Sequence, residues 1–144
     1  MPGYKFVLGT LKAQLKIDEG CKLQMYTDST SHHTIGVGHN LDARPISPRA
    51  ADTILEDDVL QTIAEIQRDQ TLGPLFDTLS ANRQMVLVNM AFNLGVPGLK
   101  GFKQFLGQLA QAQYDRAAEA MLNSLWARQV GMRSHRLAEM IRQG

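Results

Sequence analysis

The chain has one cysteine, Cys21, so no disulfide can close within it, and such usage fits synthesis in a reducing compartment. It has no run approaching the roughly eighteen apolar residues that a membrane-spanning helix needs. The apolar stretch 6–15 is itself interrupted by Lys12 and Gln14. The opening Met1-Pro2-Gly3-Tyr4-Lys5 does not read as a leader peptide. An excess of charge of one sign is also missing: 15 basic and 14 acidic residues leave +1, which gives nucleic-acid binding no electrostatic support. Repeats and low-complexity segments are absent. A zinc-type ligand pattern is absent too; His32-His33 with Cys21 comes nearest, and such turn histidines are usually solvated, so no metal and no cofactor are expected.

What is present fits one globular domain. At 144 residues, 44% of them apolar, the chain can bury about two-thirds of its unfolded surface. Val7, Leu11 and Leu15 recur every four residues, the period of an amphipathic helix, and Gly20 is its natural C-cap. Continuing that spacing brings Glu19 onto the apolar face of the last turn. Desolvation there and the negative end of the helix dipole would both disfavour its charged form.

Residues 22–28 and 33–38 predict a β-hairpin around the turn cluster Asp28-Ser29-Thr30-Ser31. In the second strand Thr34, Gly36 and Gly38 are expected on one face, a poor core surface but a suitable wall for a groove. Asp28, at the turn, is expected to stay solvated and ionised. Two carboxyls in environments of opposite effect, with a hydroxyl beside them, suit the cleavage of a glycosidic bond by water. One acid protonates the leaving oxygen, one base activates the water, and a third group aims it.

The remainder reads as helical scaffold. Ser47-Pro48 starts a long helix, about 48–70, whose apolar stripe is Ala51, Leu55, Val59, Ile63 and Ile66. Gly73-Pro74 is expected to end that region. Ser80 caps a helix in which Met85 to Phe92 are apolar almost all round, and Gly95-Val96-Pro97-Gly98 reads as a tight connection. Leu99, Phe102, Phe105, Leu106 and Leu109 mark another helix, and 117–122 and 133–141 two more, with Trp126 expected in the core. Only 40–47 separate hairpin and long helix, so a third strand must be very short. Arg128, Arg133, Arg136 and Arg142, against Glu139 alone, make a basic C-terminal run that suits either an anionic wall or a solvated helix face.

Asp18-Glu19-Gly20, Tyr26-Thr27-Asp28 and Thr34-Ile35-Gly36-Val37-Gly38-His39 together resemble the phage-type lysozymes, glycoside hydrolase family twenty-four. The resemblance returns in Asn89-Met90-Ala91-Phe92-Asn93-Leu94-Gly95 with Gly98-Leu99-Lys100-Gly101-Phe102, and again in Ser124-Leu125-Trp126 with Arg133. It implies an α+β, predominantly helical, lysozyme-like two-lobed fold within one domain, 1–144. The small lobe would span about 15–58 with the 22–38 hairpin, joined by the 48–70 helix to a helical lobe of about 71–144 plus the N-terminal helix. It implies a muramidase that cleaves the β-1,4 bond between N-acetylmuramic acid and N-acetylglucosamine in peptidoglycan with inversion. Glu19 would be the general acid, Asp28 the carboxylate that activates water, and Thr34 the water's orienter. Arg133 would lie against Glu19, His39 would pair with Asp58, and Asn93, Phe92, Phe105 and Asn40 would contact substrate. The expected partners are peptidoglycan and a phage holin that releases a monomeric enzyme from the host cytoplasm to the periplasmic wall. A lytic transglycosylase, which needs neither Asp28 nor Thr34, and a catalytically silent peptidoglycan-binding protein are the alternatives.

Overall fold

Residues 3–144 are described in a computed structural model; Met1 and Pro2, part of the segment read for a leader, lie outside the described residues. The chain groups into two units, Met1–Asp52 and Thr53–Gly144. Helix α2, Pro48–Arg68, runs across the boundary between them, capped as expected by Ser47, whose hydroxyl oxygen accepts the Ala50 amide at 3.0 Å.

The first unit holds α1 (Leu8–Glu19) and three short strands, β1 (Lys22–Thr27), β2 (His33–Gly36) and β3 (His39–Asn40), in an antiparallel sheet of order β1-β2-β3. Gly20 closes α1 at φ 74° and ψ 171°, its amide donating to the Lys16 carbonyl at 2.9 Å. No residue of α1 is buried, so the sequestration of Glu19 on an apolar face is corrected: Glu19 is exposed. In the hairpin Tyr26 sits opposite Thr34 and Lys22 opposite Gly36, with an irregularity between. The second strand is shorter than expected. Gly36 and Gly38 both take positive φ, 67° and 64°, which strand geometry excludes for L side chains, and they lie where the chain turns into β3. Gly36 therefore ends β2 and Gly38 lies in the turn, so the two do not continue a strand face with Thr34.

The second unit contains the hydrophobic core. It comprises the C-terminal part of α2 with α3 (Leu72–Thr78), α4 (Ala81–Lys100), α5 (Lys103–Ala110), α6 (Tyr114–Leu122), α7 (Leu125–Val130) and α8 (Met132–Gln143). Val86, Leu87 and Met90 of α4 are wholly buried with Met121 of α6 and Ile141 of α8. Burying each such side chain contributes about 1.5–3 kcal/mol. The alanines Ala117, Ala118 and Ala138 bring α6 and α8 close together. Ser80 caps α4 by accepting the Arg83 amide, and the expected break at 95–98 is a kink at Gly95, φ 77° and ψ 160°, after which one more turn runs to Lys100.

Gly73-Pro74 does not end the region but lies in the first turn of α3. Asp69 Oδ1 accepts the Thr71 and Leu72 amides at 2.9 Å each, and a proline in a first turn sacrifices no helical hydrogen bond. A side chain at Gly73 would place its Cβ 2.6 Å from the Gln67 carbonyl oxygen, so glycine is what lets the chain fold back there.

Candidate active site

Glu19 is the last residue of α1, and its carboxylate rests against the β2–β3 turn. A Cβ on Gly38 would stand 3.1 Å from Glu19 Oε2, so the glycine leaves room for the acid as well as supplying the turn. Helix end and turn thus meet within one unit, through the first carboxyl and the glycine of the Thr34-to-His39 motif.

The second carboxyl is held in more detail. Asp28 follows β1, and its Oδ1 accepts three hydrogen bonds: the Thr30 amide, the Thr30 hydroxyl and the His32 amide, each at 2.9 Å. The His32 amide contributes most to holding this carboxyl below the ordinary aspartate range; partial burial opposes it, and the Thr30 donors and the His32 ring reinforce it. Oδ2 is left facing Thr34 Oγ1 at 3.5 Å. Thr34 is 3% exposed and also lies 3.1 Å from the His32 carbonyl. A hydroxyl has one proton, and the shorter contact claims it. Thr34 Oγ1 then has lone pairs free beside Oδ2. Two acceptors side by side on a rigid turn can take both hydrogens of one water and direct its oxygen lone pair elsewhere.

Neighbouring residues fix this turn. The His33 amide donates to Asp42 Oδ2 at 2.8 Å, and the His33 ring lies 3.2 Å from the same carboxylate; together they hold Asp42 below its usual range. Asn40 Oδ1 accepts the Asp42 and Ala43 amides at 3.0 and 3.1 Å. Its side-chain oxygen therefore holds the loop. His39 has the Arg44 carbonyl as its partner, 3.1 Å from Nε2. Asp58 is exposed on α2, its carbonyl accepting from the Thr62 hydroxyl.

In the second unit, Arg133 donates from Nε to Asn89 Oδ1 at 2.8 Å and from Nη2 to the Asn89 carbonyl at 3.1 Å. Phe92 is 43% exposed and shares with Arg133 an apolar groove of about 520 Å³ that Leu55, Ile63 and Met85 also line. Asn93 is exposed, its amide oxygen held by Trp126 Nε1 at 2.8 Å, while the Trp126 ring is buried edge-on against Phe102. Phe105, expected at the substrate, is 1% exposed and belongs to the core, with its ring edge-on to Phe102. Among the described residues no cluster of three or more His, Cys, Asp and Glu side chains is placed to hold a metal ion.

Residues 16–141 match the profile of the phage lysozyme family. The chain belongs to that family. Among its relatives, a probable T4-type lysozyme 2 of Dictyostelium discoideum is 30% identical, covering 96% of each chain. The pre-baseplate central spike protein Gp5 of Enterobacteria phage T4 is 28% identical over 94% of this chain but 28% of its own length. An endolysin of Salmonella phage P22 is 31% identical over 78% of this chain and 77% of its own. As a phage lysozyme the protein is a glycoside hydrolase of lysozyme type, with peptidoglycan as its substrate. The predominantly helical fold with its small antiparallel sheet is that of the family.

Sequence reasoning did not find Thr30 and His32. The available signal was the spacing: a hydroxyl residue two after an aspartate is a common Asx-turn arrangement.

Proposed function

We propose that this lysozyme cleaves the β-1,4 bond between N-acetylmuramic acid and N-acetylglucosamine with inversion, Glu19 acting as general acid and Asp28 as general base. The proton of the Glu19 carboxyl passes to the glycosidic oxygen as the anomeric carbon–oxygen bond breaks. Water attacks the anomeric carbon, its oxygen forming the new bond and its proton passing to Asp28 Oδ2. Thr34 Oγ1 accepts the water's other hydrogen and aims it. The observation that carries this reading is the division of labour at Asp28: Oδ1 is occupied by three donors, and Oδ2 is left beside the Thr34 hydroxyl. Inversion requires space for that water, with carboxyls roughly 6.5–9.5 Å apart.

Phe92 and the Trp126-held amide of Asn93 are exposed and suited in chemistry to a sugar ring and its N-acetyl group. Among the described residues no helix is long and apolar enough to cross a membrane. Action as a monomer, released to the wall by a phage holin, completes the reading carried from the family.

Digestion of purified sacculi tests it. New reducing ends, formed initially as the α-anomer and absent with Glu19→Gln, are expected. Anhydro ends would replace hydrolysis by transglycosylation, and an initial β-anomer would replace inversion by retention.

A further inference from the structure

The histidine that follows the hairpin turn is not in the bond-breaking step above, yet its ring ends a chain of hydrogen bonds that begins on Asp28. His32 Nδ1 is 2.7 Å from Thr30 Oγ1, and Thr30 Oγ1 is 2.9 Å from Asp28 Oδ1. A carboxylate can only accept and a threonine hydroxyl has one hydrogen, so the two contacts constrain each other. If Nδ1 carries a proton, it donates to Thr30 Oγ1, and the threonine hydrogen goes to Asp28. If Nδ1 is bare, it takes the threonine hydrogen, and Thr30 Oγ1 faces Asp28 Oδ1 lone pair to lone pair at 2.9 Å. The second arrangement is repulsive and is disfavoured while Asp28 is ionised.

We propose that His32 is a positioning residue for Asp28: protonated at Nδ1, it fixes the Thr30 hydroxyl as a donor to Oδ1 and so keeps Oδ2 as the oxygen offered to water. The direct approach of ring to carboxylate, 3.7 Å from Nδ1 to Oδ2, is beyond hydrogen-bonding distance, so the ring's effect on orientation runs through Thr30. The ring is about half exposed and can exchange protons with solvent. The charged and titratable groups around it are Asp28, Asp42, whose carboxylate also feels the ring's charge, and the adjacent His33 on Asp42. The His32 amide, a separate donor to Oδ1, survives any change of side chain, so ring and backbone contributions are separable.

The catalytic consequence rests on the proposed role of Asp28; the hydrogen-bond chain itself does not. Nitrogen-15 NMR of histidine-labelled enzyme reads the chain directly. Nδ1 of His32 is expected to carry hydrogen at neutral pH in the wild type and to lose that preference in Thr30→Val and in Asp28→Asn. A neutral ring bare at Nδ1 in the wild type overturns the proposal. Kinetics read the consequence. His32→Phe and Thr30→Val are each expected to lower kcat about tenfold, one hydrogen bond's worth, and to move the acidic limb of the pH–rate profile upward. The double variant should be no worse than either single one, because both break one chain. His32→Asn, whose amide nitrogen can overlay Nδ1 and donate, should recover most of the loss. An unmoved acidic limb in both single variants, or additive losses, overturns the proposal. The carbon-13 titration of Asp28 in folded His32→Phe, expected to move up, keeps the test valid if that variant is less stable. Full activity in Asp28→Asn would remove the catalytic reading alone, and the tautomer measurement would then decide the hydrogen-bond chain by itself.

Discussion

Thr34 has one hydroxyl hydrogen and two oxygens within reach, the His32 carbonyl at 3.1 Å and Asp28 Oδ2 at 3.5 Å. With the hydrogen on the carbonyl, the side chain contributes a lone pair to water rather than a donor. Thr34→Ala should therefore lower kcat by tenfold or more with little change in KM, while Thr34→Ser, which keeps the oxygen, retains most activity. Steady-state rates on soluble peptidoglycan fragments check this. Glu19 is exposed and caps nothing, so Glu19→Gln should cost at least ~100-fold in kcat yet leave Tm near the wild-type value. Sacculus digestion with a parallel melt checks both halves. At Gly38 the backbone conformation and the carboxylate both resist a side chain. Gly38→Ala should cost about 1–2 kcal/mol of stability and also reduce activity by displacing Glu19, whereas a variant that is merely less stable recovers its activity at low temperature. At this scale Glu19, Asp28 and Thr34, the proposed acid, base and orienter, stand out in the sequence because residues of three chemistries keep a motif's order. The groups that hold Asp28 were not, because Thr30 and His32 in a turn look like ordinary turn composition.

Elements were legible where periodicity or caps were strong. Ser47-Pro48 and Ser80 start helices as read, but of the largely apolar run from Met85 to Phe92 only Val86, Leu87, Met90 and Ala91 are buried, while Met85 and Phe92 face outward at the two ends. The α3 helix was missed because its start signal is a side chain rather than a pattern. Asp69 caps it, with its carboxyl held below the usual range first by the Leu72 amide and then by Lys100, 2.9 Å away. Gly-Pro, usually a stop, here serves the first turn because nothing in that turn needs the proline's missing hydrogen. The six-residue α7, capped by the Ser124 hydroxyl, is too short to show a period. Asp69→Ala should cost about 1–2 kcal/mol by releasing the Thr71 and Leu72 amides, and chemical denaturation should show an unchanged slope with a lowered midpoint. Gly73→Ala should cost at least as much, since its Cβ would meet a backbone oxygen that cannot swing aside.

At the scale of the molecule, the two units are stabilised by different forces. The second buries leucine, methionine, phenylalanine and isoleucine side chains; in the first, the one buried residue among those described is Thr34, a polar one. What orders the hairpin is hydrogen bonding to charge: Asp28 takes three donors on one oxygen, and Asp42 takes the His33 amide and ring. Both carboxyls lie below the ordinary aspartate range, so each contributes stability that is fully present above the unfolded aspartate value, about 3.9, and is lost as pH falls through the folded one. The core of the second unit has no comparable dependence, though Asp69 adds one at its edge. Acidification should therefore loosen the hairpin before the helices. Amide spectra recorded from pH 5 to pH 2 should lose the shifts of Lys22–Gly36 while those of α4, α6 and α8 persist, and native-state hydrogen exchange above pH 5 should already show the hairpin opening at lower free energy. Simultaneous loss of both sets of signals would mean that apolar packing, not these carboxylates, holds the hairpin in place.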